Sequence, residues 1–287
     1  MATFSNTASL AYNGMVRTSN TTIGELVDAL AINKTSVSDN YYANGRVTYS
    51  VTITNSGTAP FTDITFTDNL GAYTFGTQTL VPYNYEDGSL QYYVDGVLQA
   101  TPTIEAGPPL RVSGINVPAG GNALLVYEVS TNAYAPLDTT GTITNTASIQ
   151  GAGLAAPISD SDTIPVRQAP DLTITKMMSP TTVTENGTIT YTVTIQNYGN
   201  VEASDATGNN SVILSDTFNP VLEPVSTTLD GNQISRTGQY TYDSTTGEFA
   251  TTAGTITVPA ATYTQDPVTG IWSTNPGVTT IEVTGTI

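Results

Sequence analysis

The stretch VTYSVTITNSG at residues 47–57 decides the fold class, because apolar and polar residues alternate along it until a Ser-Gly turn signal. Alternation of this kind is typical of a β-strand with one buried face. The pattern recurs without a gap 142 residues further on, as ITYTVTIQNYG at residues 189–199. In a chain of 287 residues, such an internal repeat predicts two domains of the same architecture.

Shorter matching segments extend the repeat on both sides of this strand. The matched pairs are LAINK (30–34) with LTITK (172–176), ITFTDNL (64–70) with VILSDTF (212–218), and INVPA (115–119) with ITVPA (256–260). Because Asn-Gly, Asp-Gly and Ser-Gly turn signals separate such segments, we predict an all-β chain of two tandem Ig-like β-sandwich domains, with about seven or eight strands each. One segment is ambiguous, since four of its residues also fit a helical turn: Ile23, Leu26, Val27 and Leu30.

The two ends of the chain depart from the repeat in a complementary way. FSNTASLAYNG (4–14) aligns with ITNTASIQGAG (143–153), the last strand of the first repeat, whereas the second repeat stops at Ile287 before such a strand. We therefore expect a free N-terminal strand and an incomplete second sandwich. The expected organisation is a donor strand at 1–14, a linker at 15–25, the first repeat at 26–155, a second linker at 156–168 and the incomplete second repeat at 169–287.

The composition excludes most classes of enzyme and of binding protein. Asp and Glu outnumber Lys and Arg by 24 to 7, and the net charge of −17 argues against nucleic acids and anionic membranes as partners. Without His or Cys, the chain cannot form a Ser-His-Asp or Cys-His catalytic group or an ordinary zinc site. No apolar run reaches the roughly 20 residues that a membrane span requires. We expect no enzyme activity on a substrate, no cofactor, no metal and no membrane insertion.

The most informative residues are the two lysines, which are the only ones in the chain. Lys34 and Lys176 occupy the same position of the two repeats, on strand faces that otherwise carry apolar residues. The same alternation places Asp68 and Asp216 on apolar faces of another strand in each repeat. Buried Lys and Asp are rare unless they are paired. We therefore predict a Lys–Asp pair in each repeat.

An asparagine completes each of these pairs. Asn145, in the last strand of the first repeat, and Asn6, in the free strand, lie on apolar faces within the shared motif Asn-Thr-Ala-Ser. The expected donor-strand residues that face a core are Phe4, Asn6, Ala8 and Leu10. If the free strand of one copy completes the second repeat of another copy, Asn6 takes the place that Asn145 has in the first repeat.

A Lys, an Asp and an Asn that meet in a core can form an isopeptide bond, the only chemistry expected of this chain. Burial lowers the pKa of the amine and raises that of the acid, so that a neutral amine attacks the carboxamide while the acid relays protons, and ammonia leaves. The predicted bonds are Lys34 to Asn145, promoted by Asp68, and Lys176 to Asn6 of another copy, promoted by Asp216. The alternative is a plain Lys–Asp salt bridge with Asn as a hydrogen-bonding neighbour.

Several motifs resemble a known family. YTVTIQNYGN, SDTF, ITVPA and NTAS resemble a conserved repeat, a domain of unknown function, of Gram-positive and archaeal envelope proteins. The chain is also similar to short two-repeat clostridial proteins that begin with a free strand. Its Lys–Asp–Asn sets resemble those of isopeptide-forming pilin modules, which often use Glu where this chain has Asp. The resemblance implies an extracellular, stalk-like Ig-type module, and it does not imply a catalytic activity.

The expected function is that of a structural subunit. An incomplete sandwich and a free strand favour head-to-tail self-assembly into a pilus-like bacterial fibre on a cell or spore surface, although no signal peptide is visible. The alternative is a monomeric adhesion or carbohydrate-binding surface module.

Two kinds of ligand site are weaker candidates. Calcium sites could lie in SDSDT (159–163) and YDSTTGE (242–248), for which a solvated turn is the preferred interpretation. A sugar-binding face could include Trp272 and some of the 16 Tyr residues.

Overall fold

The computed structural model describes residues 2–26, 29–204 and 211–287, and all regular secondary structure in them is β-strand. The predicted all-β fold is confirmed. Within these ranges there is no helix that is long and apolar enough to cross a bilayer. The chain divides into two compact units, which are Met1–Asn132 with Ile143–Ile164, and Ala133–Thr142 with Pro165–Ile287.

The N-terminal segment is a hairpin with two arms, each of which is interrupted once and so consists of two short strands. It is not a single strand followed by a linker. Its strands are β1 (Ala2–Asn6), β2 (Ser9–Tyr12), β3 (Met15–Thr18) and β4 (Thr22–Leu26). β1 pairs with β4 and β2 with β3, both antiparallel. The turn residues Asn13 and Gly14 both have positive φ, which two-residue hairpin loops favour. The expected linker at 15–25 is therefore the return strand, because its residues pair with those before the turn.

β4 is a strand although part of its sequence also fits a helical turn. Of the four residues with helical spacing, three lie in β4 or at the start of the next strand, and Val27 lies outside the described residues. Phe4 pairs directly with Gly24, where a Cβ atom would lie 2.3 Å from the aromatic ring. Glycine thus lets the ring lie on the opposite strand, and this cross-strand packing prevails over the helical spacing.

The first domain is a sandwich of two sheets. Its strands are β5 (Leu30–Ser36), β6 (Arg46–Asn55), β7 (Phe61–Asp68), β8 (Tyr73–Phe75), β9 (Gln78–Leu80), β10 (Tyr83–Tyr85), β11 (Gln91–Val94), β12 (Val97–Leu98), β13 (Thr103–Glu105), β14 (Leu110–Val117), β15 (Asn122–Thr131), β16 (Thr142–Gln150) and β17 (Ile158–Pro165). One sheet has the order β12-β11-β15-β6-β5, with β10 also paired to β15, and the other has the order β13-β14-β7-β16-β17. The alternating residues of both sheets enclose one core, whose largest buried side chains include Tyr41, Tyr49, Tyr83, Tyr127 and Phe66.

The boundaries between the two repeats differ from those expected. The segment expected to be a linker, 156–168, contains the strand β17. Alternate residues of β17 face inward, and two of them, Asp160 and Asp162, accept hydrogen bonds from β5 of the other sheet. The loop 133–142 belongs to the second compact unit, although the first repeat was expected to include it. Its Ala133 carbonyl accepts a hydrogen bond from the Trp272 N–H at 2.9 Å.

The second domain repeats much of this architecture. Its strands are β18 (Leu172–Ser179), β19 (Thr188–Asn197), β20 (Ser215–Thr217), β21 (Ser226–Leu229), β22 (Asn232–Gln233), β23 (Tyr240–Tyr242), β24 (Glu248–Thr251), β25 (Thr262–Gln265), β26 (Trp272–Asn275) and β27 (Gly277–Thr286). The sheet β18-β19-β27-β21-β22 corresponds to the first sheet of the first domain, and β20-β24-β23 corresponds to part of its second sheet.

Among the described strands of the second domain, none corresponds to β16 or β17. In the first domain β7 lies between β14 and β16, whereas its counterpart β20 lies at the edge of its sheet and pairs with β24. The described part of the second domain therefore contains no counterpart of the last strand, as the sequence predicts, and no counterpart of β17 either. One side of this sandwich is open.

Candidate functional site

Lys34, Asp68 and Tyr127 form a polar cluster in the core of the first domain. They lie in β5, at the end of β7 and in β15, so that strands of both sheets meet here. The Lys34 Nζ atom contacts Asp68 Oδ2 and donates to the Tyr127 hydroxyl at 2.7 Å, and this hydroxyl donates to the same Asp68 oxygen. The side chains of Lys34 and Asp68 are fully buried. The structure thus brings the Lys–Asp pair together and adds a third partner.

Asn145 lies buried in the same core. Its Oδ1 atom accepts a hydrogen bond from the Gly71 N–H at 3.1 Å, and its Nδ2 atom, which lies near the Tyr49 hydroxyl, makes no hydrogen bond of normal geometry in the described ranges. Gly71 has a φ of +73°, and a Cβ atom there would lie 2.6 Å from Ile143. Because β16 pairs with β7 so that Ala147 lies opposite Asp68, Asn145 lies close to the end of β7. The Gly71 N–H polarises the Asn145 carbonyl, which favours attack of a nucleophile on its carbon.

Burial and the neighbours of Lys34 act in opposite directions on its protonation, because burial favours the neutral amine whereas Asp68 and the rings of Tyr49 and Tyr127 favour the charged one. Burial lowers the pKa of Lys34, and the neighbouring Asp68 carboxylate opposes this effect only in part. The Nζ atom lies 4.1 Å from the centroid of the Tyr49 ring and 5.3 Å from that of Tyr127. Burial also raises the pKa of Tyr127, so its hydroxyl keeps its proton. A neutral amine has a free electron pair and can act as a nucleophile.

The second domain has the same Lys–Asp pair in an open environment. Lys176 Nζ contacts Asp216 Oδ2 and lies 4.6 Å from the centroid of the Tyr191 ring and 5.2 Å from that of Phe218. The side chains of Lys176 and Asp216 are 39% and 21% exposed, whereas the corresponding side chains of the first domain are 0% exposed. Every residue of β18 is exposed. The difference arises because no described strand covers this side of the sandwich.

The predicted donor residues lie on one face of the hairpin, and all of them are exposed: Phe4, Asn6, Ala8 and Leu10. Phe4 and Leu10 are 62% and 67% exposed, which is unusual for large apolar side chains on the same face of one element. Asn6 pairs with Thr22 of the return strand. The face therefore presents apolar side chains, one amide and, opposite Leu10, the Arg17 guanidinium group to its surroundings.

Sequence reasoning missed Tyr127 and Gly71. Comparison of the repeats could not find Tyr127, because its position opposite Tyr49 corresponds to Val283 opposite Tyr191 in the second domain. Its only sequence signal is the alternation of β15. This alternation predicts that the side chain points inward, but it does not identify the residues that the side chain contacts. Gly71 acts through its backbone, which carries no sequence signal beyond a possible turn.

The weaker candidates have other roles. The segment SDSDT lies in β17 and not in a turn, since Asp160 and Asp162 accept hydrogen bonds from backbone N–H groups of β5 at 2.8 Å. In the segment 242–248, Asp243 Oδ1 accepts from the Thr245 N–H at 2.7 Å within an exposed turn. No group of three potential metal ligands lies together in the described ranges. The largest buried tyrosines pack in the core, so they are not available for a sugar-binding face.

Comparison with known proteins gives weak structural similarities. No protein-family model matches the chain, and no curated protein matches it in sequence. The major pilin subunit of Bacillus cereus is similar at 8% identity and a TM-score of 0.38, over 96% of this chain and 73% of the pilin. The pilus backbone of Streptococcus pneumoniae is similar at 12% identity and a TM-score of 0.35, over 86% of this chain and 55% of that protein.

A family 123 glycoside hydrolase from Clostridium perfringens is also similar, at 9% identity and a TM-score of 0.28, but over only 48% of this chain and 27% of the hydrolase. These similarities concern the fold alone, and the resemblance of the motifs to a surface-protein repeat stays a prediction.

Proposed function

We propose that this protein is a structural subunit of an extracellular fibre on a cell or spore surface. The strand β1–β2 of one copy adds to the open edge of β20 in the second domain of another copy. Repetition of this head-to-tail contact gives a homopolymer. The protein is a building block and not an enzyme that acts on a substrate. One observation carries the proposal. The hairpin corresponds to strands β16–β17 of the first domain, and the open side of the second domain corresponds to the side that β16–β17 cover in the first domain.

Both surfaces are apolar and uncovered. Phe4 and Leu10 are exposed on the hairpin, while Leu172 and Ile174 of β18, on the face that carries Lys176, are 40% and 60% exposed. An uncovered strand edge with apolar side chains associates readily with another strand. Mutual burial of the two surfaces would remove both from water.

The register of the contact follows from the first domain. There, Ser148 of β16 lies opposite Thr67 of β7. The Asn-Thr-Ala-Ser motif places Ser9 at the position of Ser148, and the repeat places Ser215 at the position of Thr67. Ser9 of one copy therefore lies opposite Ser215 of the next, and the asparagine of the donor motif faces Lys176.

Deletion of residues 1–26 is expected to abolish fibre formation and to leave the first domain folded, because the buried core of that domain includes no described hairpin residue. Electron microscopy should show filaments of the full chain and single particles of the variant, and circular dichroism should show an unchanged β-rich spectrum. Filaments of the deletion variant would exclude strand addition. A full chain that stays monomeric would favour the adhesion module.

We further propose that isopeptide bonds lock each completed domain. In the first domain, Lys34 Nζ attacks Asn145 Cγ, and an Nζ–Cγ amide replaces the Cγ–Nδ2 bond. One proton of the amine passes through Asp68 to the leaving nitrogen, which departs as ammonia. The buried Lys–Asp pair and the hydrogen bond from the Gly71 N–H to the Asn145 carbonyl support this step. At the joint between copies, Lys176, Asp216 and Asn6 take the corresponding roles.

The Tyr127→Phe variant is expected to form the Lys34–Asn145 bond at least roughly tenfold more slowly, since a positioned proton-transfer group commonly contributes about 10² or more. The Tyr127 hydroxyl bridges Lys34 and Asp68, and the variant keeps the ring and its packing. Intact-mass time courses on freshly synthesised protein measure the loss of ammonia. Tyr83→Phe is the matched control, because this hydroxyl lies in the same core, toward Tyr49, and does not bridge Lys34 and Asp68. Equal rates in both variants would exclude a role of the Tyr127 hydroxyl.

A further inference from the structure

We infer that the element exchanged between copies is the whole hairpin of residues 2–26, and that its return strand, β3–β4, covers the open edge of β18. This inference rests on the proposed function, which by itself requires only the first strand. It assigns a second interaction surface to the joint, between the return strand of one copy and the second domain of another.

The first domain shows what a return strand does. β17 pairs with β16, and it also reaches the other sheet. The Asp160 and Asp162 carboxylates each accept a backbone N–H at 2.8 Å, from Lys34 and Ser36 respectively. These N–H groups lie on the outer edge of β5. β16 and β17 together therefore close one side of the sandwich, because β16 pairs with β7 and β17 joins β16 to the edge of β5.

The second domain has the corresponding edge without its cover. Lys176 pairs with Val193 in the same register in which Lys34 pairs with Val51. The N–H groups of Lys176 and Met178 consequently point away from β19, toward the open side. A single added strand at β20 would leave these groups uncovered. A second strand that follows it would lie along them.

The hairpin has the same place in the chain as β16–β17, and threonine hydroxyls meet across each of the two elements, although at different positions of the aligned motif. The pair β16–β17 directly precedes the first strand of the second domain, and the hairpin directly precedes the first strand of the first domain. Threonine hydroxyls meet across both elements, between Thr144 and Thr163 at 2.7 Å and between Thr7 and Thr21 at 3.1 Å. The hairpin is thus a preformed counterpart of the missing pair of strands.

Both strands of the hairpin contribute to its apolar face. Phe4, Leu10 and Tyr12 of the first strand lie on the same face as Met15, which pairs directly with Tyr12 across the turn. All four side chains are more than half exposed, at 57% for Met15 and up to 69% for Tyr12. This face also carries Asn6 and, directly opposite Leu10, Arg17. Docking of the asparagine onto Lys176 would bury apolar groups from both strands, while the long Arg17 side chain can keep its guanidinium group in water at the edge of the contact.

Competition with peptides tests the inference on the full chain. Peptide 2–26 is expected to halve the rate of polymerisation at a concentration at least roughly tenfold lower than peptide 2–14, because it covers two edges instead of one. A 2–26 peptide with Arg17→Pro should act like peptide 2–14, since Arg17 pairs with Leu10 and proline cannot donate to this ladder. Equal potency of peptides 2–26 and 2–14 would overturn the inference and leave single-strand addition intact. If no peptide inhibits and the chain without residues 1–26 still forms filaments, the proposed function itself fails.

Two adjacent exposed residues of the return strand give a matched pair of variants. Met15 lies on the apolar face and Val16 on the opposite face, at 57% and 67% exposure. Met15→Asp is expected to slow polymerisation at least roughly tenfold, because it would bury a charge at the joint, whereas Val16→Asp should polymerise like the wild type. Equal polymerisation rates of the two variants would contradict burial of the return strand.

Discussion

Fibres of the wild-type protein that are boiled in denaturing detergent are expected to give a ladder of covalent oligomers, whereas fibres of the Lys176→Ala variant are expected to run as monomers. The proposed bond joins Lys176 of one copy to Asn6 of the next, beside Asp216. Non-covalent strand addition does not survive boiling in detergent, but an amide bond does. Denaturing electrophoresis of the two fibre preparations is the measurement.

Assembly should be the trigger for this bond. Lys176 contacts Asp216 as Lys34 contacts Asp68, but the side chains of the second domain are 39% and 21% exposed. Such an exposed pair lacks the burial that lowers the pKa of Lys34. A docked hairpin would exclude water from the pair and would supply the missing amide at the same time. The free monomer is therefore expected not to react at Lys176.

Asn6→Ala and Asn145→Ala form a matched pair for this experiment. The Asn6 variant should lose the ladder and still form filaments before heating, because most of the apolar face remains. The Asn145 variant loses the bond inside the first domain and should keep the ladder. Complete collapse of wild-type fibres to monomers would contradict the bond between copies and would leave non-covalent strand addition.

Each wild-type subunit is expected to weigh one ammonia less than its sequence before any assembly, and Asp68→Ala is expected to restore the full mass. The missing ammonia reports the bond between Lys34 and Asn145. This bond closes a loop of about 110 residues, and by analogy with a disulfide of that span it stabilises the first domain by about 4–5 kcal/mol. Asn145→Ala should therefore lower the melting temperature of this domain by roughly 10–20 °C. Intact-mass spectrometry and calorimetry measure the two effects.

Thr146→Ala is the control for the loss of stability. Thr146 follows Asn145 on the same strand, but alternation directs its side chain to the other face. This variant should lose ammonia and melt like the wild type. If the wild-type mass equals that of the sequence after correction for processing at the termini, the covalent bond is absent, and Lys34 and Asp68 form a plain salt bridge.

The fold and part of the site could be predicted because they depend on local patterns. Alternation in the stretch at 47–57 and its copy at 189–199 predicts strands and duplication directly. Alternation also predicts that Lys34 and Asp68 face a core, and the high cost of burying either charge alone predicts that they pair. The Lys34–Asp68 pair can therefore be predicted from the alternation of residues along each strand and from electrostatics, without knowledge of the strand order.

The roles of residues 15–26 and of β17 could not be predicted in the same way. Both segments are polar and interrupted, so they have the composition of linkers. The segment 15–26 is a strand because its residues pair with those before the Asn13-Gly14 turn. β17 is a strand because Asp160 and Asp162 find backbone donors on another sheet.

By itself, the sequence determined the all-β architecture, the duplication, the Lys–Asp pairs and the extra copy of the Asn-Thr-Ala-Ser strand, since periodicity and repetition are properties of the chain alone. Only the tertiary structure decided that the N-terminal element is a hairpin, that no described strand of the second domain corresponds to β17, and that Tyr127 joins Lys34 and Asp68. The physical reason is that these features depend on which strand edges meet. Edges from distant parts of the chain are matched by hydrogen bonding and packing in space, and neither leaves a pattern within one segment.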